Sequence, residues 1–154
     1  MKTILASIAL VLALAVPALA TGQADPVAAV KTDLAKLKTD ATTTSATIVA
    51  DAQKLAADAT AAKGTARAQA KASIKPDVAK LKADLVAARQ LLKADKAQLK
   101  TDLAAAKQVK GAKKALKADV KATHDAVHQA RSSAREAVKN ARAALKDLRA
   151  SFKK

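Results

Sequence analysis

Cysteine, tryptophan and tyrosine are absent from this chain, and phenylalanine occurs once, as Phe152. Without cysteine there is no disulfide framework, no thiolate metal site and no thiol nucleophile. Apart from Phe152 there is no aromatic ring for unpaired bases to stack on, so sequence-specific or single-strand nucleic-acid recognition is not expected. Three glycines in the whole chain leave no Gly-rich loop that would cradle a phosphate. Neither a serine nucleophile motif nor a carboxylate pair on a loop is present. With no groups set to converge in a pocket, no enzyme chemistry and no cofactor are expected. Beyond the N-terminal stretch described next, no apolar run is long enough to span a bilayer.

The first residues have the order of an export signal. Lys2 supplies the positive charge, Ile4 to Val16 is apolar apart from Ser7, and Pro17 ends that run. Ala18-Leu19-Ala20 then offers a small-x-small cleavage site, which assigns residues 1–20 to a cleavable signal peptide and 21–25 to a polar leader. The protein is therefore expected in the periplasm or outside the cell, with no transmembrane span in the mature chain. Its 29 Lys and Arg against 13 acids give a net charge of +16, or +15 once Lys2 is removed. In the remaining chain 38 residues are Ala and only 24 are Leu, Ile, Val or Phe. Low bulky-apolar content with high net charge approaches the disordered range. Ala and Lys are good helix formers, however, so helices persist with a small core behind them.

Apolar residues recur at helical spacing along three segments. The first carries Val30, Leu34, Leu37, Ile48 and Leu55, entered through Asp25-Pro26, a capping residue followed by Pro at the first helical position. The second carries Ile74, Val78, Leu81, Leu85, Leu92, Leu99 and Leu103, and the third runs from Leu116 to Phe152. Gly64 and Gly111 read as soft interruptions. Pro76 reads as the firmer break, because proline disfavours helical geometry at the residue before it. The expectation is an all-α chain of about three long, amphipathic Ala/Lys-rich helices, coiled-coil-like or in a loose bundle, and partly disordered when isolated. Residues 26–109 form a repeat region broken near 73–76, and 110–154 form a basic helix.

The repeat has an offset of 44 residues: 28–63 against 72–107 gives 15 identities in 36 positions. Asp33, Asp40, Asp51 and Asp58 return as Asp77, Asp84, Asp95 and Asp102. The spacings 7 and 11 together make five full turns, so the repeat keeps one helical face. These aspartates flank the apolar stripe on one side, with Lys31, Lys38, Lys75, Lys82, Lys93 and Lys100 on the other. Such flanks behave like e and g positions of a coiled coil. Antiparallel neighbours would set aspartate against aspartate, which favours a parallel homo-oligomer over a folded-back hairpin.

In the third segment the basic flank is nearly continuous: Lys110, Lys113, Lys117, Lys121, His124, His128, Arg131, Arg135, Lys139, Arg142, Lys146, Arg149 and Lys153. His124 and His128, one turn apart, have the spacing of a metal pair. They stand in a cationic row with no further ligand beside them, so they are read as protonatable members of the stripe and not as a metal site. Segment Ala56 to Ser73 is similar in composition to late-embryogenesis-abundant desiccation proteins, and Lys110 to Val120 to the Lys-Ala tails of linker histones. The single Glu departs from the first pattern and the export signal from the second, and no family follows from either. The expected function is non-enzymatic binding of an anionic polymer or membrane surface by electrostatics, the partner being envelope glycolipid, wall polymer or extracellular DNA. The alternatives are a structural coiled-coil spacer or oligomer, and a desiccation-type helical protein.

Overall fold

The computed structural model describes residues 25–153; the expected signal peptide over 1–20 and residues 21–24 of the expected leader lie outside the described residues. Three α-helices, α1 (Pro26–Ala61), α2 (Arg67–Ala106) and α3 (Ala112–Ser151), form an all-helical bundle, with no strand among the described residues. None of these helices is long and apolar enough to cross a membrane. Helix α1 is the central element. It packs along both partners, whereas α2 and α3 scarcely approach each other through their backbones.

The start of α1 follows the sequence expectation. Asp25 Oδ1 accepts the Val27 N–H at 2.9 Å, and Pro26 occupies a first-turn position where no N–H is needed. The end differs from it. Helix α1 stops at Ala61, and α2 runs unbroken through Pro76. The break expected near 73–76 is thus at 62–66, and two features account for it. Gly64 takes φ +88°, the left-handed geometry that turns a chain away from a helix and that glycine adopts without a Cβ clash. Pro76 and Ala72 both lie on an exposed face. The Ala72 carbonyl that Pro76 leaves without its i+4 donor can therefore turn to water. Gly111, at φ +86°, makes the second turn and leads into α3.

The expected apolar stripes face inward except at Val120 of the third, which is 42% exposed, and Ile74, Val78, Leu85, Leu92, Leu99 and Leu103 of the second are half-buried. Val30, Leu34, Leu37, Ile48 and Leu55 of α1 are all buried, as are Leu81 of α2 and Leu116, Val127 and Leu148 of α3. Alanines fill the seam between them: Ala52 and Ala59 have no exposed surface. Small residues let the helices lie close, so α1 forms a continuous spine despite the scarcity of large side chains. Two hydroxyls tie α1 to α3 inside this seam. Ser45 donates to the Ala130 carbonyl at 2.6 Å, and Thr123 donates to the Leu34 carbonyl at 3.4 Å.

Helices α1 and α2 form the antiparallel hairpin that the charge pattern disfavours, and the ion pairs show how it is tolerated. The aspartates are spaced 7, 11 and 7 in both helices, a pattern that reads the same in either direction. Folding back therefore sets Asp33 near Asp102, Asp40 near Asp95, Asp51 near Asp84 and Asp58 near Asp77. A lysine one turn before one member of a pair reaches both carboxylates. Lys36 holds Asp40 at 2.7 Å and also Asp95. Lys54 holds Asp58 at 2.6 Å and Asp77 at 2.7 Å. Lys80 holds Asp84 at 2.8 Å and Asp51 at 2.6 Å. At the fourth position the repeat has Gln98 in place of lysine, donating to Asp102 at 3.1 Å.

Candidate anion-binding site

The aspartate pairs govern where charge remains. Eight of the 13 acids in the chain lie on the α1–α2 seam, six of them held by Lys36, Lys54 and Lys80. Asp40 and Asp95 raise the pKa of Lys36 through hydrogen bonding, Asp58 and Asp77 do the same to Lys54, and Asp51 and Asp84 to Lys80. Within the pairs the carboxyls divide. Lys54 lowers Asp58, while Asp84 is lowered by the Asp51 hydrogen bond and then by Lys80. Burial, then contact with Asp84, raises Asp51. Burial, then the hydrogen bond with Asp102, raises Asp33.

The expected basic stripe occupies the opposite situation. Every residue of it from Lys113 to Lys153 is exposed on α3 or just past its end, and Lys110 is exposed in the connection before it. Among the described residues only two of them touch an acid: His124 Nδ1 lies 3.3 Å from Asp125, and Lys139 lies 3.5 Å from Glu136. The rings of His124 and His128 stack with centroids 6.4 Å apart. Among the described residues, no three His, Asp or Glu side chains are placed to hold a metal ion together.

A second stripe is only partly visible in the sequence. Lys75, Lys82, Lys93 and Lys100 form the expected basic flank of the second segment. On α2 and the residue just past its end they share one exposed strip with Arg67, Lys71, Arg89, Lys96 and Lys107. At 100° per residue these nine cations fall within about 80° of arc. None of the nine contacts an acid among the described residues. Their numbering alone carries that signal, so Arg89 and Lys96 are within reach of sequence reasoning. The pairing of the two stripes is not. The structure turns α2 and α3 so that Arg89, Lys93 and Lys96 face Arg131, Arg135 and Arg142 across a shared groove.

The fold and charge distribution define an α-helical bundle with eight of its 13 acids on one interhelical seam and seven cations lining a groove on another side. Compared with protein-family models, with curated proteins and with solved structures, the chain matches none of them.

Proposed function

We propose that this is an exported, non-enzymatic protein that binds anionic polymers or surfaces through the valley between α2 and α3. The observation that carries the reading is the segregation of charge. Solubility requires a mixed surface with a modest net charge, not two facing rows of unpaired cations. A linear array of phosphates or sulfates laid along the valley meets positive charge from both sides and releases its own counterions as it binds. Most of the apolar stripes that a coiled-coil oligomer would use are occupied within the chain, between α1 and its two partners. This favours binding over the structural-spacer reading. Envelope glycolipid, wall polymer and extracellular DNA all present the required charge, and the site reads charge and not base sequence.

The test is heparin and duplex-DNA affinity as a function of salt, for the mature protein and for a variant with Arg131, Arg135 and Arg142 changed to Gln. Log affinity should fall linearly with log salt, at about −0.9 per phosphate contact for duplex DNA, with a shallower slope in the variant. Salt-independent binding, or equal slopes, would reject the proposal.

A further inference from the structure

The valley contains more than charge. Between its walls lies an open groove of ≈ 800 Å³, and its floor and sides are apolar. Ala41, Ser45 and Ile48 of α1 form the floor. Leu85, Ala88 and Leu92 rise on the α2 side, and Ala130, Ala134 and Val138 on the α3 side. The hydroxyls here are already engaged: Ser45 donates to Ala130 O, and Thr44 donates to Asp40 O at 2.6 Å. The groove exists because small residues meet at this level. Ala41, Ala88, Ala130 and Ala134 are the small residues here, flanked by Leu37 and Ile48 on α1, Leu85 and Leu92 on α2, and Val127 and Val138 on α3. Towards one end of the bundle Ile74 of α2 shares an apolar cluster with Leu145 and Leu148 of α3, and towards the other Leu103 shares one with Leu116. The groove is therefore bounded lengthwise. On α3 it runs from Ala130 to Arg142, about 18 Å at 1.5 Å per residue.

The cations around it are selective. The chain has 23 lysines and six arginines. Four of those arginines, Arg89, Arg131, Arg135 and Arg142, line this one groove. Arginine matches phosphate through paired N–H donors, where lysine offers a point charge. Resting on the anion-binding reading above, we infer that the groove holds the acyl chain of a phosphate-bearing lipid, with its phosphate gripped by the arginines of the walls. Nucleic acid and sulfated polysaccharide satisfy the cations but leave the half-buried Leu85, Leu92, Ala134 and Val138 of the sides uncovered. A second copy of this chain would bring more positive charge. A fourth helix would need a trough running the length of the bundle, whereas this groove is bounded, and its volume lies in the range of small-molecule sites. An acyl lipid with a phosphate head satisfies both the apolar sides and the cations.

The probe is lysophosphatidic acid below its micelle concentration, titrated into the mature protein by calorimetry at several temperatures. Saturable binding near one lipid per chain with a negative heat-capacity change is expected, because apolar surface is buried. Inorganic phosphate and zwitterionic lysophosphatidylcholine should each bind at least about tenfold more weakly. Ala134→Phe fills the groove and should abolish lipid binding while leaving heparin affinity within about twofold, a difference of under half a kcal/mol. If that variant fails to fold, Arg131, Arg135 and Arg142→Lys gives an independent answer. It keeps the charge and should lose lipid affinity by about tenfold, while heparin affinity, which rests on net charge along the whole valley, should fall several-fold less. If heparin binds and lysophosphatidic acid does not, the groove assignment falls and the polyanion reading stands. If an acidic amphipathic helical peptide saturates the groove and the lipid does not, the assignment also falls. If neither heparin nor lipid binds, both readings fall.

Discussion

Changing Gln98 to lysine should stabilise the protein, because it completes a structural rule that the hairpin obeys at three of its four aspartate pairs. Gln98 stands at the repeat position of Lys54. Its amide reaches Asp102 at 3.1 Å but brings no charge to set against the second carboxylate. Asp33 shows the consequence. Burial, then its contact with Asp102, holds its pKa above the ordinary value of 3.8, and its Oδ2 is buried without a hydrogen-bond partner. An ammonium at position 98, one turn before Asp102, would reach both carboxylates as Lys54 reaches Asp58 and Asp77. Surface ion pairs contribute ~0.2–1 kcal/mol each, so a bridge that also relieves like-charge contact should give about 1 kcal/mol at neutral pH. For a folded region of this size that raises Tm by about 3–4 °C. Glutamine and lysine have nearly equal helix propensity, so the local helix itself changes little.

The sign with pH makes the test specific. A carboxyl whose folded pKa is raised favours the folded state at low pH, and that contribution is lost as pH rises through the raised value. The introduced ammonium of Gln98→Lys should pull the folded pKa of Asp33 down. The gain should therefore be full at pH 7 and disappear as the pH falls below the carboxylate range. Urea denaturation at pH 7 and pH 3, with the Asp33 carboxyl followed by NMR titration, measures both parts. No gain at pH 7, or an equal gain at pH 3, would refute the argument.

Three further outcomes follow from the backbone and the seam. Pro76→Ala should stabilise α2 by about 2–3 kcal/mol, since it restores the hydrogen bond to Ala72 in a helix that already runs through this position; chemical denaturation reads the change. Gly64→Ala should destabilise by about 1–2 kcal/mol, the cost of the left-handed geometry for a residue with a Cβ, although the space around it is open. Ser45→Ala should cost about 0.5–1 kcal/mol, the loss of one buried hydrogen bond to a carbonyl that the α3 backbone still satisfies, and amide exchange should quicken along the α1–α3 seam.

The elements that can be read from the sequence are those set by local periodicity. The three apolar stripes, the Asp25-Pro26 start and the exposed basic stripe on α3 all follow from spacing along a single helix. Pro76 reads as a break only because its tolerance depends on which way Ala72 faces, and that is fixed only when α2 docks on α1. The aspartate repeat marks a helical face, as expected, but its neighbour is antiparallel and not parallel. The 7-11-7 spacing fits both partners, and the choice turns on lysines one turn away that bridge between helices. The groove lies beyond sequence reasoning for a similar reason. Ala41, Ala88, Ala130 and Ala134 are ordinary alanines in an Ala-rich chain until three helices bring them to one level. Arg89 and Lys96 gain meaning only when Arg131 and Arg135 stand opposite.

If α2 and α3 form one anion-binding valley, the α2 wall tests it most directly. Heparin affinity and its salt dependence would be measured for the mature protein and for a variant with Arg89, Lys93 and Lys96 changed to Gln, its folding verified by circular dichroism. These three substitutions should weaken binding and flatten the salt slope about as much as changing Arg131, Arg135 and Arg142 does. An α2 variant that binds like the unaltered protein would show that α3 acts alone, or that neither wall is a site, and would contradict the valley.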